Sequence, residues 1–402
     1  MKRCRLLPFL LALAFPLAAC GQSSGSSTIP SSEASGSLSS PAPTAENSTT
    51  GTTTASTFYD PETGITYENS SLQGKTAEQF ELPLTGATGY ASVVMNMLAS
   101  ADPESDVKAV LQPGDAFTIL EEKDGHWWRI ARDSGENGWV DNTCCYLNIP
   151  DVIPSIVIDN TNAYSSVFVS SGKSIPHITG EVLYDSLCYN ARFSREQPVM
   201  AANYIMVKKI YAAQQAALSE GYTLILNETF RPTDVQLKVA AALKELSDTD
   251  PEVKSGIDQR PWGISWFISQ RISTHQKGCA MDVSLGRVEA IAYHLAGDYK
   301  YPVVTRYTPC DMPTPIHELS AAAVSLIKPV SSASASAWKD VEPAASMTED
   351  ALRLKHYCTG AGMSPLASEW WHFNDLEAVA AIGENFCTDV YYINTFCSRI
   401  PE

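Results

Sequence analysis

Two histidines, an aspartate and a glutamate occur in two short stretches of the chain that could support metal chemistry. His275 and Asp282 lie seven residues apart in the first stretch, and Glu369 and His372 lie three apart in the second. Two imidazoles and one carboxylate form a ligand set suited to a catalytic zinc ion that keeps an open coordination position. Glu369 is then left over as a candidate general base.

His275 and Asp282 can share an ion only if the chain bends between them. On a helix their spacing separates them by about 10 Å along the axis, and on an unbroken strand an odd spacing places them on opposite faces. Gly278 stands between them and tolerates a positive φ. We therefore predict a bend at 277–278, followed by a strand on which Ala280 and Asp282 share one face.

The same reasoning limits how Glu369 and His372 can reach one site. A spacing of three suits a helical turn or an irregular bend, but not a regular strand. We predict that Glu369 transfers protons, and the alternative is that it is a fourth ligand. His317 is the substitute ligand if His275 does not bind, whereas Cys279 is expected to face the other side of the strand.

In this order, the stretches S-x-H-x-x-G-x-A-x-D and E-W-W-H-F resemble the motifs of the VanX-type D-alanyl-D-alanine dipeptidases. These are zinc enzymes of a wider family of D,D- and L,D-peptidases that cleave cell-wall peptides, and the resemblance covers roughly residues 156–375. It implies zinc as the cofactor and D-alanyl-D-alanine, or a closely related cell-wall peptide, as the substrate. It also implies a zinc D,D-peptidase-like α+β domain, with a central antiparallel sheet and helices.

The resemblance implies roles for three further residues. Arg231, within Phe-Arg-Pro, matches an arginine that stabilises the oxyanion of the tetrahedral intermediate, and the alternative is a surface arginine that caps a loop. Asp311 matches an aspartate that receives the ammonium group of the dipeptide, and the alternative is an ordinary loop aspartate. Ser273 matches a position that lines the substrate.

Two other functions stay open at this point. The same zinc site could run a D,D-carboxypeptidase or L,D-endopeptidase reaction on longer muropeptides, although an aspartate at Asp311 would close the pocket to longer chains. Outside enzymes, the chain could be a wall-binding protein with an inactive peptidase domain. The presence of all five core residues argues against that alternative. They are Arg231, His275, Asp282, Glu369 and His372.

The N-terminus has the layout of a bacterial lipoprotein signal. Cations precede an apolar run, and small residues stand directly before Cys20. We predict that residues 1–19 are removed, that Cys20 is lipidated, and that the protein is anchored on the extracytoplasmic face of the cell membrane; secretion without a lipid is the alternative. Residues 20–57, rich in Ser and Thr, are predicted to be a flexible tether, and 58–88 an ambiguous linker.

Residues 89–147 contain short alternating runs separated by turn signals, a spacing that predicts a small β-barrel. Its G-H-W-W and G-W-V stretches resemble a bacterial SH3-like domain, a class that often docks on cell-wall peptide or glycan. Trp127, Trp128 or Trp139 could form a platform for peptidoglycan, or they could fill the core of the barrel. Residues 151–402 would form the catalytic domain.

Apolar periodicity predicts four helices in that domain. They cover about 202–218, 234–246, 288–295 and 351–358. A buried strand at 222–226 should lead directly to Arg231, and Thr348 should cap the last helix. Helices and strands that do not alternate regularly indicate an α+β class.

Charge and cysteine content narrow the partners and the compartment. The formal charge of −17 disfavours nucleic-acid binding, because an acidic surface repels phosphate. Two of the ten cysteines lie in the signal region. Some of the other cysteines should pair outside the cytosol, and Cys387 with Cys397 is the pair that we predict.

Overall fold

The computed structural model describes residues 56–402. Its strands are β1 (Thr57–Tyr59), β2 (Thr66–Glu68), β3 (Thr88–Ala91), β4 (Met95–Leu98), β5 (Val107–Leu111), β6 (Ala116–Lys123), β7 (Trp127–Ala131), β8 (Asn137–Asp141), β9 (Cys145–Asn148), β10 (Val157–Ile158), β11 (Val169–Ser170), β12 (Lys173–Ser174), β13 (Leu187–Asn190), β14 (Arg195–Pro198), β15 (Ala201–Asn203), β16 (Tyr222–Glu228), β17 (Ala280–Ala296), β18 (Tyr299–Pro309), β19 (Ser364–Pro365) and β20 (His372–Asn374). Its α-helices are α1 (Ile149–Val152), α2 (Tyr204–Ser219), α3 (Thr233–Thr249), α4 (Pro251–Ile257), α5 (Ile264–Phe267), α6 (Glu349–Gly360) and α7 (Leu376–Ile382).

The predicted signal peptide, Cys20 and nearly all of the predicted tether lie outside the described residues. Among the helices of residues 56–402, none has the length and apolar character needed to cross a bilayer.

One eight-stranded sheet contains the predicted barrel. Its strand order is β15-β9-β3-β6-β7-β8-β4-β5, so strands β3 to β9 cover the predicted segment 89–147. Apolar side chains alternate inward, and Trp128 is fully buried in the core, whereas Trp127 and Trp139 are half-buried. Trp128 therefore fills the core of the barrel, and only the other two tryptophans keep surface that a ligand could reach.

A second eight-stranded sheet is built around β17. β17 pairs antiparallel with β16, β18 and β20, whereas β2 joins it in parallel. β10 also pairs in parallel with β16, so this sheet is mixed rather than purely antiparallel. Helix α2 packs against β16 and α6. The protein thus has a mixed helix-and-strand fold with several sheets, in agreement with the predicted class at that level.

Three of the four predicted helices are confirmed, as α2, α3 and α6. Thr348 caps α6, with its Oγ1 accepting a hydrogen bond from the Ala351 N–H at 3.1 Å. The prediction of a helix at 288–295 is wrong, because this segment is the second half of β17. The register shifts on both sides of Ala290, and this bulge interrupts the two-residue alternation of a strand. The resulting apolar spacing imitates a helix, while hydrogen bonding to β18 and β2 determines the structure.

The segment 58–88, predicted as an ambiguous linker, is an ordered part of both sheets. β1 and β2 form a hairpin that extends the second sheet. Phe80 and Leu82 are buried, and β3 begins at Thr88 in the first sheet. This segment therefore connects the two sheets through packed apolar side chains.

The barrel and the larger domain also share contacts. β15, from the larger domain, pairs with β9 of the barrel. The rings of Trp128 and Tyr204 lie 4.7 Å apart, edge to face. The Tyr146 hydroxyl donates a hydrogen bond to the Gln276 carbonyl at 2.7 Å, so the barrel contacts the loop that carries His275.

The described cysteines form no disulfide bonds, contrary to the prediction that some of them pair. All eight that the structure describes are free thiols, so the predicted pairing of Cys387 with Cys397 is wrong. Cys397 is buried, with its N–H donating to Thr88 Oγ1 at 3.3 Å, whereas Cys387 is half-buried beside the carbonyl of Asp389.

The predicted bend before β17 is confirmed. Gly278 has a φ of 62°, and its N–H donates to the His275 carbonyl at 2.9 Å. An added Cβ at this position would lie 2.6 Å from Tyr146 Cε1 and 2.9 Å from the Asn203 nitrogen. The bend therefore requires glycine both for its backbone angle and for the close approach of the barrel.

We expect Gly278→Ala to lower the free energy of unfolding by about 1–3 kcal/mol, because alanine must hold a positive φ and also overlaps Tyr146. Chemical denaturation followed by circular dichroism measures this change. Gly360→Ala is the matched control, since nothing lies within 4 Å of its added Cβ and its φ is not positive. A Gly278→Ala protein as stable as the native chain would contradict the bend.

Candidate metal centre and active-site cleft

The residues predicted from the two motifs meet at the N-terminal end of β17. His275 lies in the turn before the strand, and Asp282 is the third residue of the strand. β20 pairs with β17 in a register that places His372 directly opposite Asp282. Glu369 lies in the irregular bend just before β20, as its spacing from His372 predicts.

Three ligand atoms converge there. His275 Nε2 lies 3.2 Å from His372 Nδ1 and 3.4 Å from Asp282 Oδ1, and His372 Nδ1 lies 2.9 Å from the same oxygen. All three side chains are buried. In a tetrahedral zinc site with bonds of about 2.0–2.1 Å, neighbouring ligand atoms lie about 3.3 Å apart. The observed spacing therefore fits one ion of this kind.

The hydrogen bonds of the two imidazoles also suit a metal. His275 Nδ1 lies 2.7 Å from the Thr229 carbonyl, and His372 Nε2 lies 3.1 Å from Asn374 Oδ1. Each of these nitrogens donates its proton, which leaves a lone pair on the nitrogen that faces Asp282. Two lone pairs and a carboxylate oxygen then meet at one point, where a cation or a proton must lie between them.

The electrostatics of the centre depend on burial. Burial lowers the pKa of His275, although the Asp282 charge opposes this. Burial also opposes ionisation of Asp282, but the charges and hydrogen bonds of the surrounding histidines hold its pKa well below the usual range. Asp282 is therefore the negative charge around which the histidines are arranged.

Glu369 lies beside the three candidate ligands but does not belong to their cluster. Its Oε2 lies 3.7 Å from His372 Nδ1, and the carboxylate is not among the three groups whose ligand atoms lie mutually close. Burial raises the pKa of Glu369 to about 8. A general acid–base acts best with a pKa near the working pH, and a cation at the neighbouring ligands would lower this value towards neutrality.

Arg231 is buried and contacts Asp282 through Oδ2, the oxygen that does not face His275 and His372. Its Nη2 donates to Asp282 Oδ2 at 2.8 Å, its Nε to Glu228 Oε2 at 2.6 Å and its Nη1 to Gln236 Oε1 at 2.7 Å. This arrangement excludes the alternative of a surface arginine. Glu228, Asp282 and His317 form a second set with ligand-like spacing, but the Arg231 guanidinium already supplies the cation between the two carboxylates.

The sequence analysis missed Glu228 and the two side chains that bind it. Its Oε1 accepts hydrogen bonds from Asn162 Nδ2 at 2.9 Å and from the Tyr184 hydroxyl at 2.7 Å. Glu228 ends a fully buried strand three residues before Arg231. An acidic residue at the end of an apolar strand, close to a candidate catalytic arginine, was the signal that could have identified it.

A cleft with a volume of about 520 Å³ opens onto the centre. It is lined by Arg231, Glu369 and Ser273, whose Oγ has no hydrogen-bond partner, and apolar side chains form much of the rest of its wall. Those side chains are Phe168, Trp266, Phe267, Ile268, Leu319 and Trp371. Ser273 thus lies where a substrate-lining residue is expected.

Asp311 does not line this cleft. β18 carries the chain to the start of α6, where the Asp311 N–H donates to Asp350 Oδ2 at 3.2 Å and its carbonyl accepts from Thr348 Oγ1 at 2.7 Å. The structure therefore does not bring Asp311 together with the other predicted site residues.

Comparison with known proteins identifies one part of the chain. A family model described as Bacterial SH3 domain matches residues 92–144, which lie within β4 to β8 and the turns that flank them. Residues 92–144 are thus a bacterial SH3 domain, as the sequence predicts. No curated protein matches the chain.

We expect the native protein to bind one zinc ion per chain, and His275→Ala, Asp282→Ala and His372→Ala each to abolish tight binding, because each removes one of three ligands. Elemental analysis after dialysis against a weak chelator measures the zinc content. His294→Ala and His356→Ala are controls, since both histidines are exposed and neither belongs to the cluster of candidate ligands. Full zinc occupancy in all three ligand variants would refute the assignment.

Proposed function

We propose that this chain is a zinc-dependent peptidase that hydrolyses D-alanyl-D-alanine, or a closely related cell-wall peptide, outside the cytoplasm. The observation that carries the proposal is the convergence of His275, Asp282 and His372 beside the buried Glu369, at the base of an open cleft. Two imidazoles and one carboxylate with an open fourth position suit catalytic zinc rather than structural zinc. The resemblance of both motifs to VanX-type dipeptidases supports the same class.

Each residue of the centre has a definable task in amide hydrolysis. When bound, zinc polarises the scissile carbonyl and lowers the pKa of the attacking water. The Glu369 carboxylate accepts the proton that water loses as it attacks the carbonyl carbon, and then delivers it to the nitrogen of the leaving amine. Its raised pKa suits both transfers.

Arg231 supplies fixed positive charge at the other side of the reacting carbonyl. Its bonds to Glu228, Gln236 and Asp282 use four of the five guanidinium N–H groups. One N–H on Nη1 is left to stabilise the oxyanion of the tetrahedral intermediate. Because three partners already fix the guanidinium group, it needs little reorganisation to bind the oxyanion in the transition state.

A specific observation favours a second candidate, the hydrolysis of longer muropeptides by a D,D-carboxypeptidase or L,D-endopeptidase reaction. In the dipeptidase hypothesis, Asp311 binds the ammonium group of the substrate, but Asp311 lies outside the cleft. The carboxylates that line the cleft are Asp282 and Glu369, and both serve the metal centre. A free N-terminus therefore finds no further carboxylate among the residues that line the cleft, which favours a longer peptide.

The partner and location are further parts of the proposal. Bacterial SH3 domains often bind cell-wall material, which is consistent with peptidoglycan as the partner of residues 92–144. The N-terminal sequence supports a lipid anchor at Cys20 on the extracytoplasmic face of the membrane. The acidic charge supports the absence of a nucleic-acid partner.

We expect Glu369→Gln to keep zinc but to lower kcat by about 10²–10⁴-fold, because an amide of the same shape cannot carry the proton. Zinc content and hydrolysis of cell-wall peptides are measured on the same preparations. Glu245→Gln, at an exposed position of α3, is the control and should behave as the native chain. Loss of zinc with activity would instead make Glu369 a ligand. A native protein that loads with zinc and cleaves none of the peptides would be a wall-binding protein with an inactive site.

We expect a pentapeptide that ends in D-alanyl-D-alanine to be cleaved at least as efficiently as the free dipeptide. The reason is that the cleft offers no available carboxylate to bind the ammonium group of the dipeptide. Comparing kcat/KM for the two peptides tests this. Asp311→Asn should leave both values unchanged. A tenfold rise in KM for the dipeptide alone in Asp311→Asn would show that Asp311 receives the ammonium group after all.

A further inference from the structure

His317 contacts the metal centre although neither motif contains it. The residue lies in the segment between β18 and α6, and its side chain is buried. Its Nε2 lies 3.2 Å from Asp282 Oδ2, and its ring stacks on Phe168 with the centroids 4.2 Å apart and the planes 15° apart. The ring is thus held face-on by an aromatic neighbour while its edge points at the carboxylate.

The two oxygens of Asp282 have different partners. Oδ1 faces His275 Nε2 and His372 Nδ1, at the point where the ion would lie. Oδ2 accepts hydrogen bonds from Arg231 Nη2 at 2.8 Å and from His317 Nε2 at 3.2 Å. Two donors occupy the lone pairs of Oδ2, so Oδ1 alone is available as a ligand.

The backbone of His317 indicates that this pose is imposed by the fold. Its φ is 63°, a region that few residues other than glycine adopt and that costs energy unless the surroundings maintain it. Val169 donates its N–H to the His317 carbonyl at 3.1 Å, and Leu319 donates its N–H to the Val169 carbonyl at 2.8 Å. The Glu318 carboxylate accepts from the N–H groups of Ser171 and Gly172, at 2.6 and 2.9 Å.

These bonds attach the His317 carbonyl and the two residues that follow it to the hairpin of β11 and β12. The strain therefore persists because the hairpin fixes the backbone directly after the strained residue. His317 lies directly beside the Asp282 carboxylate, where a fixed hydrogen-bond donor can orient a candidate metal ligand.

We propose that His317 is a positioning residue of the metal centre, whose Nε2–H holds Asp282 Oδ2 so that the carboxylate binds the ion through Oδ1 alone. A carboxylate that binds through one oxygen keeps a coordination position open for water. The inference rests on the proposed function in one respect, that His275, Asp282 and His372 hold a metal ion. It assigns His317 a role other than that of a substitute ligand.

Two variants distinguish the effect of the hydrogen-bond donor from that of the stacked ring. Both place a non-glycine residue at the positive φ of position 317. His317→Gln keeps an N–H donor at about the reach of Nε2 but loses the stacked ring. His317→Phe keeps the ring against Phe168 but has no donor. The zinc dissociation constant, from competition with a chromophoric chelator, is measured for both variants beside the native chain. His294→Phe, at an exposed position, is the control.

We expect His317→Phe to weaken zinc binding by about 10–100-fold, the usual effect of removing a group that orients a ligand, and His317→Gln to recover most of that loss. The visible absorption of the cobalt-substituted proteins provides a second readout. His317→Phe should show the weaker bands of a higher coordination number, because the released Oδ2 can then bind the ion as well. Circular dichroism of the metal-free proteins shows whether each variant is folded.

Two outcomes would overturn the inference while leaving the metal centre in place. The first is a folded His317→Phe protein with native zinc affinity and a native cobalt spectrum. The second is an equal loss of one zinc equivalent in both variants, which would make His317 a ligand. A native chain that binds neither zinc nor cobalt would overturn the proposed function itself, and this result is visible before any variant is made.

Discussion

The register between β17 and β20 is the constraint on which the centre depends. Residues directly opposite each other in an antiparallel pair have Cβ atoms about 4.5–5.5 Å apart, close enough for an aspartate and a histidine to meet. The observed register places Asp282 opposite His372. A slip of one residue would turn His372 to the other face of the sheet and separate the ligands. The bend at Gly278 then returns His275 to the same point, so two backbone features bring together residues that are 97 positions apart.

A second requirement is that the buried charges around the ligands compensate each other. Glu228, Asp282 and Arg231 are all buried, and burying an unpaired charge costs several kcal/mol. Arg231 bridges the two carboxylates, which removes most of that cost but also makes the three side chains depend on one another. A neutral substitution of Arg231 removes the cation between the two carboxylates, so the same residue serves stability and the proposed catalysis. The arrangement also explains why an ion would fit beside Oδ1 of Asp282 and not beside Oδ2, which already faces the Arg231 cation.

The convergence of His275, Asp282 and His372 could be predicted from the sequence because a metal site restricts residue types, and those types stand in short stretches. The bend was predictable for a similar reason, since glycine at 278 is the residue that permits it. The residues that contact Asp282 from outside the two motifs were harder to predict from the sequence. Glu228 and His317 reach Asp282 only after β16, β17 and the segment beyond β18 have packed, and no local pattern encodes that. The sequence named His317 only as a substitute ligand, and no local pattern predicted its contact with Asp282 Oδ2.

Long-range pairing also explains the two largest departures in the fold. The segment 288–295 has helical spacing only because a bulge at Ala290 shifts the strand, and a bulge depends on the partner strand as much as on its own sequence. Asp311 matched a motif in sequence, but β18 carries it to the start of α6 and away from the cleft. For 288–295 the missing information lies in the partner strand, and for Asp311 it lies in the contacts with Thr348 and Asp350 at the start of α6.

The contact between the barrel and the loop that carries His275 connects the two proposed activities. Tyr146 packs against Gly278, and its hydroxyl holds the Gln276 carbonyl in the residue next to His275. The barrel therefore acts as a wall that supports the loop, in addition to any binding role of its own. If peptidoglycan binds the barrel, its peptide stems are presented at a fixed distance and direction from the metal centre. A rigid arrangement of this kind suits a substrate that is part of a polymer, since binding one site then raises the effective concentration at the other.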